Sequence, residues 1–344
     1  MEKIRVGVFG ATGYTGWTLI QLLLNHPFAN IEFITSERMT GKLLSEAWPL
    51  APDFLLQSAV DVNYEQVDCV FLCLPHTHSA RIAAKAKSAG VVVIDLSADL
   101  RLNTPEAFYD WYQVEHAAPD LLPVVYGLPE QNRDQIRKAK IIANPGCYAT
   151  SMLLGLIPLA RAGLIRKGFP VIVDAKSGTT GAGRNPKQHI LFSEVHGNFS
   201  PYSIGRKHRH IGEVEQQLSV EGFEEGHLIF SPHLLPTDRG ILASIYVSIE
   251  DMEKSIEEIN QIYEKESFVT VLKKGQLASL AHVVRTPNAV ISLTSVDDQT
   301  LIIMVAIDNL MKGAASQAVQ NFNLVFDFEE ISGLNSEIKG VQHA

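Results

Sequence analysis

The chain has 344 residues, of which 46% are hydrophobic and 19% charged, enough for about two domains with substantial cores. Its net charge of −9 excludes the broad basic surface that nonspecific nucleic-acid binding requires, so a small soluble substrate is expected. No apolar run approaches the ~18 residues that span a bilayer, and the first residues lead straight into a strand without an apolar leader, which predicts a cytoplasmic protein with no membrane partner.

From Ile4 to about Asn144, short apolar runs alternate with helical stretches. Ile4–Phe9 precedes a helix over Trp17–Asn25, and Ile31–Thr35 follows; then come Val67–Leu74, the Ala-rich helix Ser79–Ala89, and Val91–Leu96. Continuous apolar strands separated by helices indicate a parallel sheet covered on both faces, hence a doubly wound α/β domain. Beyond Cys147 the texture changes. Val171–Asp174, Ile241–Ile249, Val290–Thr294 and Leu301–Ile307 predict a second sheet, with helices over Glu213–Val220 and Met252–Lys265. The short connection from Ser295 to Thr300 requires antiparallel neighbours, so this domain is α+β with a mixed, largely antiparallel sheet. In the tail, Asp308 or Asn309 can cap a helix that places Leu310, Ala314, Ala318 and Phe322 at four-residue spacing, which predicts an amphipathic helix with a small-residue face. No long linker separates the domains, and a cleft between them is the expected ligand site.

The first strand runs into Gly10-Ala11-Thr12-Gly13-Tyr14-Thr15-Gly16, a glycine loop between a strand and a helix. In that context the missing side chains let backbone N–H groups and the helix N-terminus approach a pyrophosphate. The second strand ends in Thr35-Ser36-Glu37-Arg38. A hydroxyl and a guanidinium there suit a 2′-phosphate, so Ser36 and Arg38 point to NADP(H) over NAD, while Glu37 argues the other way unless it turns aside.

Cys69, Cys73 and Cys147 are too few for a disulfide framework and are expected as free thiols. Cys69 and Cys73 sit in an apolar strand and read as core. Cys147 differs: it lies in Asn144-Pro145-Gly146-Cys147-Tyr148, where a strand gives way to a helix whose positive end favours a nucleophilic thiolate. Such a thiol needs a base, and the run Tyr202 to Glu213 offers His208 and His210, with Glu213 three residues after His210 and able to orient it. The alternative is a solvated basic run before a helix. No metal site is expected, because the two histidines would project to different sides of a helix and no second cysteine pair exists. A further segment, Asp174 to Arg184, joins Lys176 and Arg184 to the glycines of Ser177-Gly178-Thr179-Thr180-Gly181, a candidate anion loop or else a flexible hairpin connection.

In this order the segments resemble N-acetyl-gamma-glutamyl-phosphate reductase, the arginine-biosynthesis relative of aspartate-semialdehyde dehydrogenase. The resemblance rests on Gly10 to Gly16, Ile94 to Leu102, Tyr126-Gly127-Leu128, Asn-Pro-Gly-Cys-Tyr at 144–148, Asp174 to Arg184, His208-Arg209-His210, Pro232 to Pro236 with Arg239-Gly240, and Asp308 to Ala315. It implies a Rossmann-type NADP-binding domain over 1–147 with the tail 309–344 returning to it, a catalytic, substrate and oligomerisation domain over 148–308, and a dimer or tetramer. It further implies that Cys147 forms a thioester from an acyl phosphate with release of phosphate, and that NADPH reduces the thioester. One histidine of the pair, with His210 favoured, supplies the proton. Ser177, Gly178 and Asn309 would touch the nicotinamide half of the cofactor. Arg101, Lys176, Arg184 and Tyr202 are candidate substrate contacts, with surface charge the alternative for the three cations. The family commonly has proline between His-Arg-His and the glutamate, where this chain has Gly212. The rivals are a sister enzyme acting on aspartyl phosphate or carrier-bound aminoadipyl phosphate, and a nucleotide-binding thiol sensor, which leaves the histidine cluster unexplained.

Overall fold

The computed structural model describes residues 3–223 and 228–334. Two compact units divide them: residues 3–146 with 314–334, and residues 147–313. The chain thus leaves the first unit after Gly146 and re-enters it at Ala314, rather than at the expected 147 and 309. Asn309 explains the later return, since its Oδ1 accepts from the Gly240 N–H at 2.8 Å and holds that stretch in the second unit. The expected extension of the first domain over 335–344 lies outside the described residues.

In chain order the first unit begins β1 (Ile4–Phe9), α1 (Tyr14–Leu24), β2 (Ala29–Thr35), α2 (Leu44–Ala47), β3 (Leu56–Gln57), β4 (Cys69–Leu72), α3 (Ser79–Ser88) and β5 (Val92–Asp95). It continues through α4 (Pro105–Tyr112), β6 (Val125–Tyr126), α5 (Pro129–Ile136) and β7 (Ile141–Ala143). The strands form one parallel sheet in the order β3-β2-β1-β4-β5-β7-β6. Every residue of β4, β5 and β7 is buried, as strands covered on both faces require. The chain winds outward from β1 through β2 to β3, then restarts at β4 on the other side. Between β1 and β4 lies the switch point where such sheets take their ligands.

The second unit starts with α6 (Cys147–Arg161), then β8 (Val171–Ser177), α7 (Phe192–Val195), β9 (Ser200–Pro201), α8 (His210–Ser219), β10 (Leu228–Leu234) and β11 (Ile241–Ser248). After these come α9 (Met252–Tyr263), β12 (Val269–Val271), β13 (Ala289–Ser295) and β14 (Thr300–Ile307). The mixed sheet runs β12-β13-β14-β11-β8-β10-β9, parallel only at β12/β13 and β8/β10. Helix α6 lies on β11 and β14 between α8 and α9. Gly155 permits the close approach: a Cβ there would sit 2.6 Å from the Ile245 Cδ1. Pro158 lies inside α6 and has no N–H for the Leu154 carbonyl four residues back. The Tyr263 hydroxyl of α9 donates to that carbonyl at 2.6 Å instead.

The far face of this sheet is lined by a row in register, Ile229 of β10, Ile172 of β8, Tyr246 of β11 and Ile302 of β14. The first three are 37%, 39% and 38% exposed.

The tail departs from expectation. Asp308 does cap, its Oδ1 accepting from the N–H groups of Leu310 at 2.7 Å and Met311 at 3.1 Å. A π-helical turn over Met311–Ala315 follows, and only then α10 (Ser316–Val325). From Ser316 to Leu324 every residue is buried, so the helix is not amphipathic. Its polar side chains bond inward: Asn321 donates to the Gly127 carbonyl at 2.9 Å and to the Asn144 Oδ1 at 3.0 Å, and Asn323 meets the His26 ring at 2.9 Å. Among the described residues no helix is long and apolar enough to cross a membrane.

Candidate active site

At the end of β1, Gly10 adopts φ +82°, with the Cys73 carbonyl lying against the space a side chain would need. Gly16 lets α1 settle onto the Gly10 carbonyl in the same way. Gly13 is different. It precedes the first residue of α1, and only the Gly10 carbonyl, at 3.6 Å, comes near where its Cβ would be. Packing therefore does not demand glycine at 13, whereas a phosphate approaching the backbone does. No side chain caps this helix and no acid lies in its first turn, so its positive end suits an anion. These features fit the pyrophosphate of a dinucleotide, with Tyr14 and Thr15 opening the helix.

The Thr12 and Ser36 hydroxyls are 3.0 Å apart, which ties the glycine loop to the end of β2. Glu37 turns away, accepting from the Ser58 hydroxyl at 3.0 Å and the Ala59 N–H at 2.7 Å. Arg38 is exposed in the short turn that follows.

The loop after β4 carries a feature that spacing does not reveal. Thr77 sits at φ +74°, a costly conformation for a β-branched residue. The buried Asp99 carboxylate holds it there, accepting from the N–H groups of Thr77 at 2.5 Å, Ser79 at 2.9 Å and Ala80 at 3.0 Å. The same loop supplies the Cys73 carbonyl against Gly10, so Asp99 supports the wall of the switch point. Cys73 follows the end of β4 at Leu72 and is partly buried, whereas Cys69 is fully buried, and burial pushes both thiols up, as expected of cysteines that pack rather than react. Arg101 is neither a surface charge nor an open anchor: it is 9% exposed, with Nε donating to the Asn144 carbonyl and Nη2 to the Leu96 carbonyl, both at 2.9 Å.

In the second unit Cys147 is the first residue of α6 and is half-buried. Its neighbour Tyr148 is the hub of the site. The Tyr148 ring stands edge-on to His208 at 5.5 Å, to His210 at 6.2 Å and to Phe230 at 5.0 Å. Its hydroxyl is 3.1 Å from that of Tyr202, and burial pushes the Tyr202 phenol up to about 12. His208 precedes α8 while His210 opens it, which brings the two rings to 4.8 Å rather than to opposite sides of a helix. The His208 Nδ1 accepts from the His210 N–H at 3.2 Å. Burial, with His210 and Arg209 adding to it, pushes His208 down to about 2. Its ring is therefore neutral at neutral pH. Glu213, in the first turn of α8, is 2% exposed. Gly212 does not disturb the helix start, since α8 runs unbroken from His210 through it. Among the described residues no group of three histidine, cysteine or carboxylate side chains can hold a metal ion.

The segment after β8 is not a flexible hairpin. Thr179 N–H donates to the Thr237 carbonyl at 2.9 Å and Thr180 N–H to the Asp238 carbonyl at 3.1 Å. Gly178 allows this zipping, since a Cβ there would lie 2.6 Å from the Arg239 nitrogen. Asn309 closes the same site, its Nδ2 donating to the Thr180 hydroxyl at 3.0 Å. Ser177, 3% exposed, ends β8 beneath it.

Lys176 does not join this group. It alternates with Ser177 and pairs with Asp174 at 2.6 Å on the face of β8 that carries Ile172, and His233 approaches the same carboxylate at 3.2 Å. Arg184 lies exposed beyond the loop.

Comparison with known proteins agrees with this architecture. Residues 5–139 match the NAD binding domain of semialdehyde dehydrogenases, and residues 147–309 match their dimerisation domain. The chain is 44% identical to N-acetyl-gamma-glutamyl-phosphate reductase of Desulfotalea psychrophila over 96% of its own length and 98% of that protein's. To the enzyme of the same name from a Thermoanaerobacter species it is 40% identical, with the same coverage of both chains. Aspartate semialdehyde dehydrogenase II of Vibrio cholerae shares the fold, with a TM-score of 0.73 at 20% identity over 95% of this chain and 99% of that one. The aspartate semialdehyde dehydrogenase of Candida albicans gives 0.69 at 18% identity over 94% and 99%. With two domain matches in sequence and near-complete identity coverage, the chain belongs to the N-acetyl-gamma-glutamyl-phosphate reductase family of semialdehyde dehydrogenases.

Proposed function

We propose that this protein reduces N-acetyl-gamma-glutamyl phosphate to N-acetylglutamate semialdehyde in arginine biosynthesis, releasing phosphate through a thioester on Cys147. The observation that carries the reading is a cysteine at the first residue of α6, followed by a tyrosine that gathers His208, His210 and Tyr202 around it. The Cys147 thiolate attacks the acyl carbon, a C–S bond forms, and backbone N–H groups at the helix start hold the oxyanion. Collapse breaks the bond to the phosphate oxygen and leaves the thioester. When bound, NADPH supplies the hydride that reduces it. As the thiohemiacetal collapses, the C–S bond breaks and a histidine donates a proton to the departing sulfur. A ring held near 2 has no proton to give at neutral pH, which favours His210 over His208. Tyr202 and Arg184 remain the substrate contacts of this reading, while Ser177, Gly178 and Asn309 would hold the nicotinamide half of the cofactor.

The hydroxyl pair Thr12 and Ser36, the exposed Arg38 and the averted Glu37 all support NADPH over NADH. One assay tests reaction and cofactor together: N-acetylglutamate semialdehyde with phosphate, run with NADP and NAD in parallel. Phosphate-dependent NADP reduction with the lower KM is expected. Turnover of aspartate semialdehyde alone would move the substrate assignment, and a clear preference for NAD would overturn the cofactor one.

The match to a dimerisation domain and the partly exposed row Ile229, Ile172 and Tyr246 support a homo-oligomer joined through that sheet face. A Tyr246→Asp variant should sediment as a smaller species than the wild type. Unchanged sedimentation would remove this face from the interface.

A further inference from the structure

We infer that Gly313 is a positioning residue for the Cys147 thiol, and that its turn couples the nucleophile to the loop after β8. This rests on the covalent mechanism proposed above. Gly313 has an ordinary backbone conformation, so its lack of a side chain serves space rather than φ. A Cβ there would stand 2.9 Å from the Cys147 Cβ, 3.3 Å from its Cα and 3.2 Å from the Asp308 carbonyl. The bare backbone of Gly313 is therefore the surface against which the cysteine rests.

That surface is rigid. The Gly313 N–H donates to the Asp308 carbonyl five residues back at 2.9 Å, the bond of a π-turn, a form that recurs at functional sites. Asp308 is fully buried. Besides capping Leu310 and Met311, its carboxylate accepts from the Arg285 N–H at 2.7 Å and meets the Arg239 guanidinium at 3.3 Å. Asn309 next to it bonds both Gly240 and Thr180. One short segment thus braces the sulfur-bearing residue at one end and the Thr179–Ala182 turn at the other, so neither shifts without the other.

Gly313→Ala tests the assignment. The added methyl must displace Cys147 by a few tenths of an ångström, and kcat should fall about 10- to 100-fold with the NADPH KM within about twofold. Alkylation of the Cys147 peptide by iodoacetamide, followed by mass spectrometry, should slow as well. Tyr263→Phe, which loses a hydrogen bond to α6 far along the helix, should lower Tm by a few degrees and leave kcat unchanged. In the Cys147→Gly background, which removes the closest of the opposing atoms, Gly313→Ala should cost clearly less Tm than in the wild type, and folding should return if the single variant fails to fold. Near-wild-type kcat, an undiminished Tm loss without the Cys147 Cβ, or equal loss of activity in Tyr263→Phe would overturn the inference. If the wild type shows no phosphate-dependent NADP reduction, the proposed reaction fails, while alkylation and the Tm comparison still decide the role of Gly313.

Discussion

Cys147→Ser is expected to fold normally, bind NADPH and lose turnover by at least about 10³-fold. The substitution changes one atom at the first residue of α6, where no large side chain must repack, so Tm should shift little. The chemistry changes far more, because a serine hydroxyl at its ordinary pKa is almost wholly protonated at neutral pH and the helix N-terminus cannot offset that gap. Residual activity above about a tenth of wild type would contradict covalent catalysis. The complementary measurement uses wild-type enzyme given acyl phosphate without reductant. A mass adduct should appear on the peptide bearing Cys147 and be absent from Cys73, the other cysteine that is not fully buried. Steady turnover with no such adduct would end the mechanism.

The parallel sheet was legible in the sequence because strands such as Val92–Asp95 are buried on both faces and so read as unbroken apolar runs. The glycine loop and the Cys147 turn were legible because each depends on a local change from strand to helix. What escaped was non-local. Asn321 and Asn323 lie on a helix expected to be amphipathic, yet they bond inward to Gly127, Asn144 and His26, partners 194, 177 and 297 residues away. Strand β10 was hidden by Pro232, which demotes an apolar run in any local reading. Asp99 and Thr77 meet across two strands of the sheet, which no spacing rule joins. The pairing of Lys176 was within reach: on a strand, residues two apart share a face, so Asp174 and Lys176 had to be neighbours.

The two histidines should separate in different measurements. His210→Asn is expected to lower kcat about 10²- to 10⁴-fold, the ordinary value of a positioned acid–base group, and to remove one limb of the pH–rate profile. His208→Asn should cost far less in rate, because a ring pushed to about 2 by burial neither gains nor loses a proton in the working range. Its mark should lie in stability instead. In the unfolded chain His208 protonates near its ordinary 6.5, while in the folded protein it stays neutral until about 2. Protons therefore bind the unfolded state preferentially between those values, so this residue's contribution is intact above the unfolded value and is lost as pH falls. Removing the ring removes that slope: Tm should drop less between pH 7 and pH 4.5 in His208→Asn than in wild type or in His210→Asn. If His208→Asn instead abolishes turnover and reshapes the pH–rate profile while His210→Asn does not, the proton belongs to His208, and the burial that holds it neutral must be relieved when substrate binds.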